Sequence, residues 1–205
     1  QRLHTTVLLI THDLGVVANM ADDVVVMHRG EVMEAAPMRS IFANPRHPYL
    51  QALMAAVPRL DHDPGKRLAS LRDLDDGHLQ AIKRMSARFR AETQRAGGNA
   101  SAPGPHLEVQ ALCKQFVARS GGWFGAHTQL VTAVDQVSFT LQRGECLALV
   151  GESGCGKTTV SKLILRALTA SSGQIQLARS DGPPLDVLAL ERRELFEYRR
   201  RVQMI

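Results

Sequence analysis

Cysteine is nearly absent from this chain, and so is any long apolar run. The three cysteines, Cys113, Cys146 and Cys155, show neither paired nor metal-ligand spacing. That excludes a disulfide framework or a zinc site and points to a reducing compartment. No apolar stretch approaches the roughly 20 residues that span a bilayer. The chain opens on Gln1, and no signal peptide is read at its start. Aromatics are sparse, at 4% of the residues. Charge of one sign does not dominate either: the formal net charge is +5. A balance this mild fits ordinary surface solubility, and no nucleic-acid partner is expected. What the chain does have is 205 residues, 44% of them hydrophobic, enough to bury a core in one domain or two partial ones.

Three regions differ in character. Residues 1–57 alternate short strands and helices. "TTVLLIT" (5–11) is an apolar, β-branched run of the kind found in buried parallel strands. A short helix is predicted over 13–21. Two strands are predicted within 22–36, around a tight turn at His28-Arg29-Gly30. Two further helices are bounded by Pro45, Pro48 and Pro58. Residues 58–106 form a linker, turn-rich at first. An amphipathic helix is predicted between Gly77 and Gly97, and then "GGNASAPGP" as a flexible tether. Residues 107–205 return to α/β. Strands are predicted at 107–116, 131–141, 145–151 and 173–178, with "RSGGWFGAHTQ" (119–129) looping between the first two. Helices are predicted from Lys157 to about Leu168 and over 189–201, and "VQMI" reads as the start of another strand.

"GESGCGKT" satisfies G-x-x-x-x-G-K-[ST] at Gly151, Gly156, Lys157 and Thr158. It follows an apolar strand and precedes a helix-forming run, as a phosphate-binding loop requires. Gly151, Gly154 and Gly156 permit backbone conformations and a close approach that a Cβ would hinder. The loop amides then cup phosphate oxygens, and the following helix adds its positive end. Lys157 should reach the β- and γ-phosphates, and the Thr158 hydroxyl should hold Mg²⁺. The expected contact set for ATP is Gly151, Glu152, Ser153, Gly154, Cys155, Gly156, Lys157, Thr158 and Thr159.

Three stretches resemble ABC-transporter ATPases. "VSFTLQRGECLALVGESGCGKTTVSKLIL" resembles the opening of such a domain, and "TVLLITHDLGVVANMADDVVVMHRGEVMEAA" resembles its other end. "NPRHPYLQALMAAVP" resembles the C-terminal extension of ATPases serving peptide, nickel and glutathione importers. The resemblance implies an α/β P-loop NTPase fold, with an antiparallel β piece and a helical linker. It implies a switch role for His12, in contact with the γ-phosphate, and adenine stacking for Phe116, with Trp123 as a rival. It also implies membrane-spanning permease subunits and a solute-binding protein as partners, and a peripheral place on the cytoplasmic face of the bacterial inner membrane. The extension lacks clustered cysteines, so no iron–sulfur cluster is expected.

The order of the pieces is inverted: the histidine end comes first and the P-loop end second. A tandem protein explains this, with residues 1–57 closing a first ATPase domain and residues 107–205 opening a second. The remainder of both domains would then be a partner. No "LSGGQ"-like signature occurs, and no apolar strand ends in Asp-Glu to supply a Walker B acid and a catalytic Glu. The two pieces are nevertheless complementary. The strands at 145–150, 5–11 and 22–27 can form one pseudo-domain in permuted order, because loop closure across the linker costs little more as it lengthens. That sheet would lack the Walker B strand and keep one open edge. His12 would lie near Lys157.

The expected activity is ATP hydrolysis driving solute import in the intact protein, with weak binding and little turnover by these residues alone. Alternatives are a soluble ABC-type ATPase of a carbon–phosphorus lyase-like system, a nucleotide-binding fragment without turnover, and an interaction module built on the basic linker helix. A GTPase is disfavoured because N-K-x-D and D-x-x-G are missing in a matching context. Lys157 and the loop amides should favour a Cys155 thiolate. On sequence alone, Cys155 should alkylate faster than Cys113 and Cys146, and ATP-Mg²⁺ should slow it. Equal rates for all three, indifferent to ATP, would contradict this.

Overall fold

The computed structural model describes residues 5–55, 104–122 and 125–204. The predicted helix at 77–97 and Trp123 lie outside them. In chain order the elements are β1 (Val7–Thr11), α1 (Leu14–Met20), β2 (Asp23–His28), β3 (Glu31–Pro37), α2 (Met38–Ala43) and α3 (Pro48–Ala55). After the linker come β4 (Leu107–Gly122), β5 (Gly125–Leu141), β6 (Cys146–Val150), α4 (Lys157–Ile164), β7 (Ser172–Leu177), β8 (Leu185–Asp186) and α5 (Arg192–Arg201).

Two four-stranded sheets result, ordered β1-β6-β2-β3 and β5-β4-β7-β8. The first is the permuted sheet anticipated from sequence. β6 pairs in parallel with β1, from Val7↔Cys146 to Thr11↔Val150, and in parallel with β2, from Asp23↔Leu147 to Val26↔Val150. β3 closes it antiparallel to β2. The Arg29-Gly30 turn has positive φ at both residues, 48° and 87°. A two-residue hairpin needs this to match strand twist, and it confirms the predicted turn. Among the described residues β1 and β3 each have a single strand neighbour in this sheet, and β1, mostly half-buried, is the open edge beside β6.

The second sheet departs from the sequence reading. β4 and β5 continue as a long hairpin through Gly122↔Gly125, where a loop was expected over 119–129. The Gly-rich stretch carries no strand pattern of its own; antiparallel pairing supplies its register. Helix α4 stops at Ile164, short of Leu168, and Arg166 takes φ 56°. Residues 202–204 do not form the strand expected of "VQMI", and Val202 is the C-cap of α5.

Alternation explains why the buried centre of β2, Val24 to Met27, and all of β6 are apolar. Val25, Met27, Leu147 and Leu149 enter a core shared with the second sheet, including Val109, Leu112, Val137 and Ile175, and with α4 through Val160 and Leu163. Val24, Val26, Ala148 and Val150 face the opposite way, onto Leu14, Val17, Ile41, Tyr49 and Leu50 of the helices. Successive side chains of a strand point to opposite faces, so a strand covered on both sides has no polar positions. Each fully buried Val or Leu contributes about 1.5–3 kcal/mol. Both cores contain residues from either side of the linker, so the two segments share their stability.

A polar contact stitches the same seam. Asp22 accepts the Cys146 amide proton at 2.8 Å, and Val7 donates to the Glu145 carbonyl at 2.9 Å. Burial and then a hydrogen bond with Asp23 raise the Glu145 carboxyl to about 7. Its folded pKa exceeds its unfolded one, so the folded chain keeps the proton longer. The associated stability is complete below the unfolded pKa and declines as pH rises towards 7. Glu145→Gln, which stays neutral, should match the parent at about pH 4 and be the more stable at about pH 8 in urea unfolding. Parallel stability–pH curves for the two proteins would contradict this.

Candidate functional site

The loop between β6 and α4 has the geometry of a phosphate cradle. Gly151, Gly154 and Gly156 all adopt positive φ, at 153°, 84° and 105°. Two of them also lack room. A Cβ on Gly151 would lie 2.1 Å from the Met27 carbonyl oxygen, and one on Gly156 would lie 2.4 Å from that of Ala133. A Cβ on Gly154 would meet nothing within 4 Å. The first two glycines let the loop press onto β2 and β5, and the third lies at an open position. α4 starts at Gly156 without a side-chain cap. Its first-turn amides are thus left to an external acceptor, as an anion-binding helix end requires. The donor set fits a polyphosphate.

Lys157 is buried. Its ammonium donates to the Gly151 carbonyl at 2.8 Å and the Glu152 carbonyl at 2.7 Å, and its Nζ lies 3.5 Å from Cys155 Sγ. In this conformation the cation is folded back onto its own loop, where two carbonyl dipoles offset its desolvation. Thr158 is exposed at the first turn of α4, and Ser153 is exposed on the loop. Thr159 is half-buried. Cys155 is buried, at 4% exposure, whereas Cys113 and Cys146 are half-buried. The thiol expected from sequence to alkylate first is therefore the least accessible of the three.

His12 is exposed and follows β1 directly. Thr11 pairs with Val150, so His12 and Gly151 leave the sheet side by side at the same end. Phe116 is exposed on β4, with Lys114 Nζ 5.1 Å from its ring centroid. Its strand partner Val131 lies two residues from Ala133, whose carbonyl borders Gly156. Among the described residues no group of three or more His, Cys, Asp or Glu side chains could hold a metal ion.

The segment before the linker adds contacts that sequence reasoning missed. Gly30 donates its amide to the Cys155 carbonyl at 2.9 Å, and its own carbonyl accepts the Asp135 amide at 2.8 Å. Tyr49 Oη accepts the Glu152 amide at 3.4 Å. His28 Nδ1 lies 4.0 Å from Glu152 Oε2. Burial first, and then Arg29, hold His28 below its ordinary pKa despite that carboxylate, so the contact is with a mainly neutral ring. The signals available were the "HRG" turn and the "HPY" triplet, neither of which specifies a partner in space.

A parallel strand, a loop with two glycines that leave no room for a Cβ, a buried lysine and an uncapped helix define a P-loop NTPase fold. The family model for ABC transporters matches residues 134–205, and that for the oligopeptide/dipeptide transporter C-terminal region matches residues 33–90. The glutathione import ATP-binding protein GsiA of Pectobacterium atrosepticum is 42% identical over 175 residues, 85% of this chain and 27% of that protein. GsiA of Salmonella typhimurium is 38% identical over 205 residues, 100% of this chain and 31% of that protein. The chain thus matches, in two segments, parts of ABC-transporter ATP-binding proteins of the oligopeptide and glutathione importer group. It spans less than a third of the length of these relatives.

The steric reading of the loop is testable. Gly156→Ala should cost about 1–3 kcal/mol, since its left-handed φ and its closeness to a main-chain carbonyl act together. Gly154→Ala should cost less, because only φ opposes it. Urea unfolding of the two variants checks the order, and equal costs would overturn it.

Proposed function

We propose that this chain contributes ATP-binding and switch elements to an ABC importer ATPase acting on glutathione, peptides or related small solutes. The observation that carries the reading is the uncapped start of α4 beside the buried Lys157 ammonium, at the end of a parallel strand. The names of the relatives support import over a soluble lyase-type complex.

The residues divide the work. Main-chain amides of residues 154–159 bind the phosphate oxygens, and Lys157 exchanges its carbonyl partners for the β- and γ-phosphates. The Thr158 hydroxyl would hold Mg²⁺, which supplies charge neutralisation on the phosphates when bound. Phe116 offers an apolar ring to the adenine base. His12, beside the loop mouth, contacts the γ-phosphate and helps to orient the attacking water. In its neutral form it can donate from one ring nitrogen and accept at the other. No strand in the sequence ends in an Asp-Glu pair, so turnover by these 205 residues alone is slow.

We further infer that residues 1–57 and 107–205 come from consecutive ATPase domains joined by the 58–106 linker. Two observations support this. The C-terminal-region match precedes the ABC-transporter match along the chain. The GsiA relative of Salmonella typhimurium is similar across all 205 residues. The parent protein would sit peripherally at the cytoplasmic face of the inner membrane, with permease subunits and a solute-binding protein. No described helix is long and apolar enough to cross a membrane.

Lys157→Ala tests the nucleotide site. Removing charge-assisted bonds should weaken ATP-Mg²⁺ binding roughly 10- to 100-fold in calorimetric titration. Unchanged affinity, or a parent chain indifferent to millimolar ATP-Mg²⁺, would overturn the reading.

A further inference from the structure

The "HPY" triplet, His47-Pro48-Tyr49, has no part in the phosphate chemistry above, yet its local structure is tightly specified. The Glu34 carboxylate of β3 accepts the amide protons of Arg46 (3.1 Å) and His47 (2.9 Å). His47 Nδ1 accepts the Tyr49 amide proton at 3.1 Å. Pro48 stands at the first position of α3, where no amide proton is needed. These bonds fix the chain entering α3 and occupy the Tyr49 amide at its first turn. Its ring is fully buried, packed against the His28 ring with centroids 4.3 Å apart.

That packing delivers the hydroxyl to the phosphate loop. Tyr49 Oη receives the Glu152 amide proton at 3.4 Å, and the Glu152 carbonyl receives the Lys157 ammonium at 2.7 Å. His28 flanks the Glu152 side chain. The main chain of Glu152 is therefore held from two sides, at its amide by Tyr49 of α3 and at its carbonyl by the P-loop lysine.

We propose that Tyr49 is a positioning residue of the phosphate loop, fixing the main chain of Glu152 and thereby the carbonyl that seats Lys157. The Glu152 carbonyl also accepts the Cys155 amide at 3.3 Å, so the Tyr49 hydroxyl adds a tie from α3 to a loop already bonded within itself. The tyrosine hydroxyl acts as a latch that limits the loop geometries Lys157 must leave when it turns to phosphate. The role deepens the nucleotide-binding reading and rests on it for its consequence, though not for its geometry.

The test is Tyr49→Phe in the 205-residue chain, which removes one oxygen and keeps the ring. Without nucleotide, amide exchange followed by NMR should quicken at least several-fold at Glu152, while the amides of Val25 and Leu149 keep their parental rates. Calorimetric titration with ATP-Mg²⁺ should then show several-fold weaker binding, less than the loss caused by Lys157→Ala. A second variant, His47→Ala, frees the Tyr49 amide and should loosen Glu152 in the same direction. Parental exchange at Glu152 in Tyr49→Phe would overturn the proposal. If Val25 and Leu149 exchange faster together with Glu152, Tyr49 is a core residue only, and the proposal is equally overturned. If the parent chain binds no ATP-Mg²⁺ while Glu152 still quickens, the latch stands and the nucleotide reading falls.

Discussion

The pairing of β6 on both sides by strands from the opposite end of the chain is the constraint on which the rest depends. β1 and β2 supply hydrogen bonds to both edges of the strand that carries the phosphate loop. Without the segment that carries them, five apolar residues would present two unpaired edges and one uncovered face to water. With them, β6 lies inside two cores, and its C-terminal end becomes a fixed point from which the loop is projected. The cradle needs that rigidity. Main-chain amides bind an anion well only when they are aimed before it arrives, and two of its glycines are pressed onto the main chain of β2 and β5.

The same arrangement explains how a chain whose pieces come in inverted order can still form a coherent site. Order along the chain matters little to a sheet if the connection is long, because closure entropy rises only logarithmically with length. What matters is whether the strands carry complementary faces. β1, β2 and β6 do. Their side chains alternate between the helix layer and the antiparallel sheet, and no polar residue interrupts the buried centres of β2 or β6. If the segments derive from two domains of a tandem ATPase, each has retained the surface that its own domain-mate would present. The open edge of β1 is where that complementarity stops.

The sequence disclosed these features unequally, for physical reasons. The strand–loop–helix frame of the phosphate cradle was legible, since glycines, lysine and threonine at fixed spacing have a local cause: each position answers to backbone geometry or phosphate charge within a few residues. The strands at 5–11, 22–36 and 145–150 were legible from apolar, β-branched runs. Their order in the sheet came from family resemblance and not from composition. The β4–β5 extension was misread as a loop because a Gly-rich stretch takes its register from its partner. Burial of Cys155 was also hidden, since the electrostatic argument for its reactivity says nothing of access. The grip of Gly30 and Tyr49 on the loop depends on contacts more than a hundred residues apart, which no local pattern encodes.

Contacts across the linker therefore test the account most directly. In a nuclear Overhauser spectrum of the 205-residue chain, amide protons of Val7–Thr11 should show parallel interstrand contacts with those of Cys146–Val150, in the register Val7↔Cys146 to Thr11↔Val150. The account predicts those cross-peaks together with the matching set between β2 and β6. Contacts confined to each side of the linker, with none between β1 or β2 and β6, would contradict it.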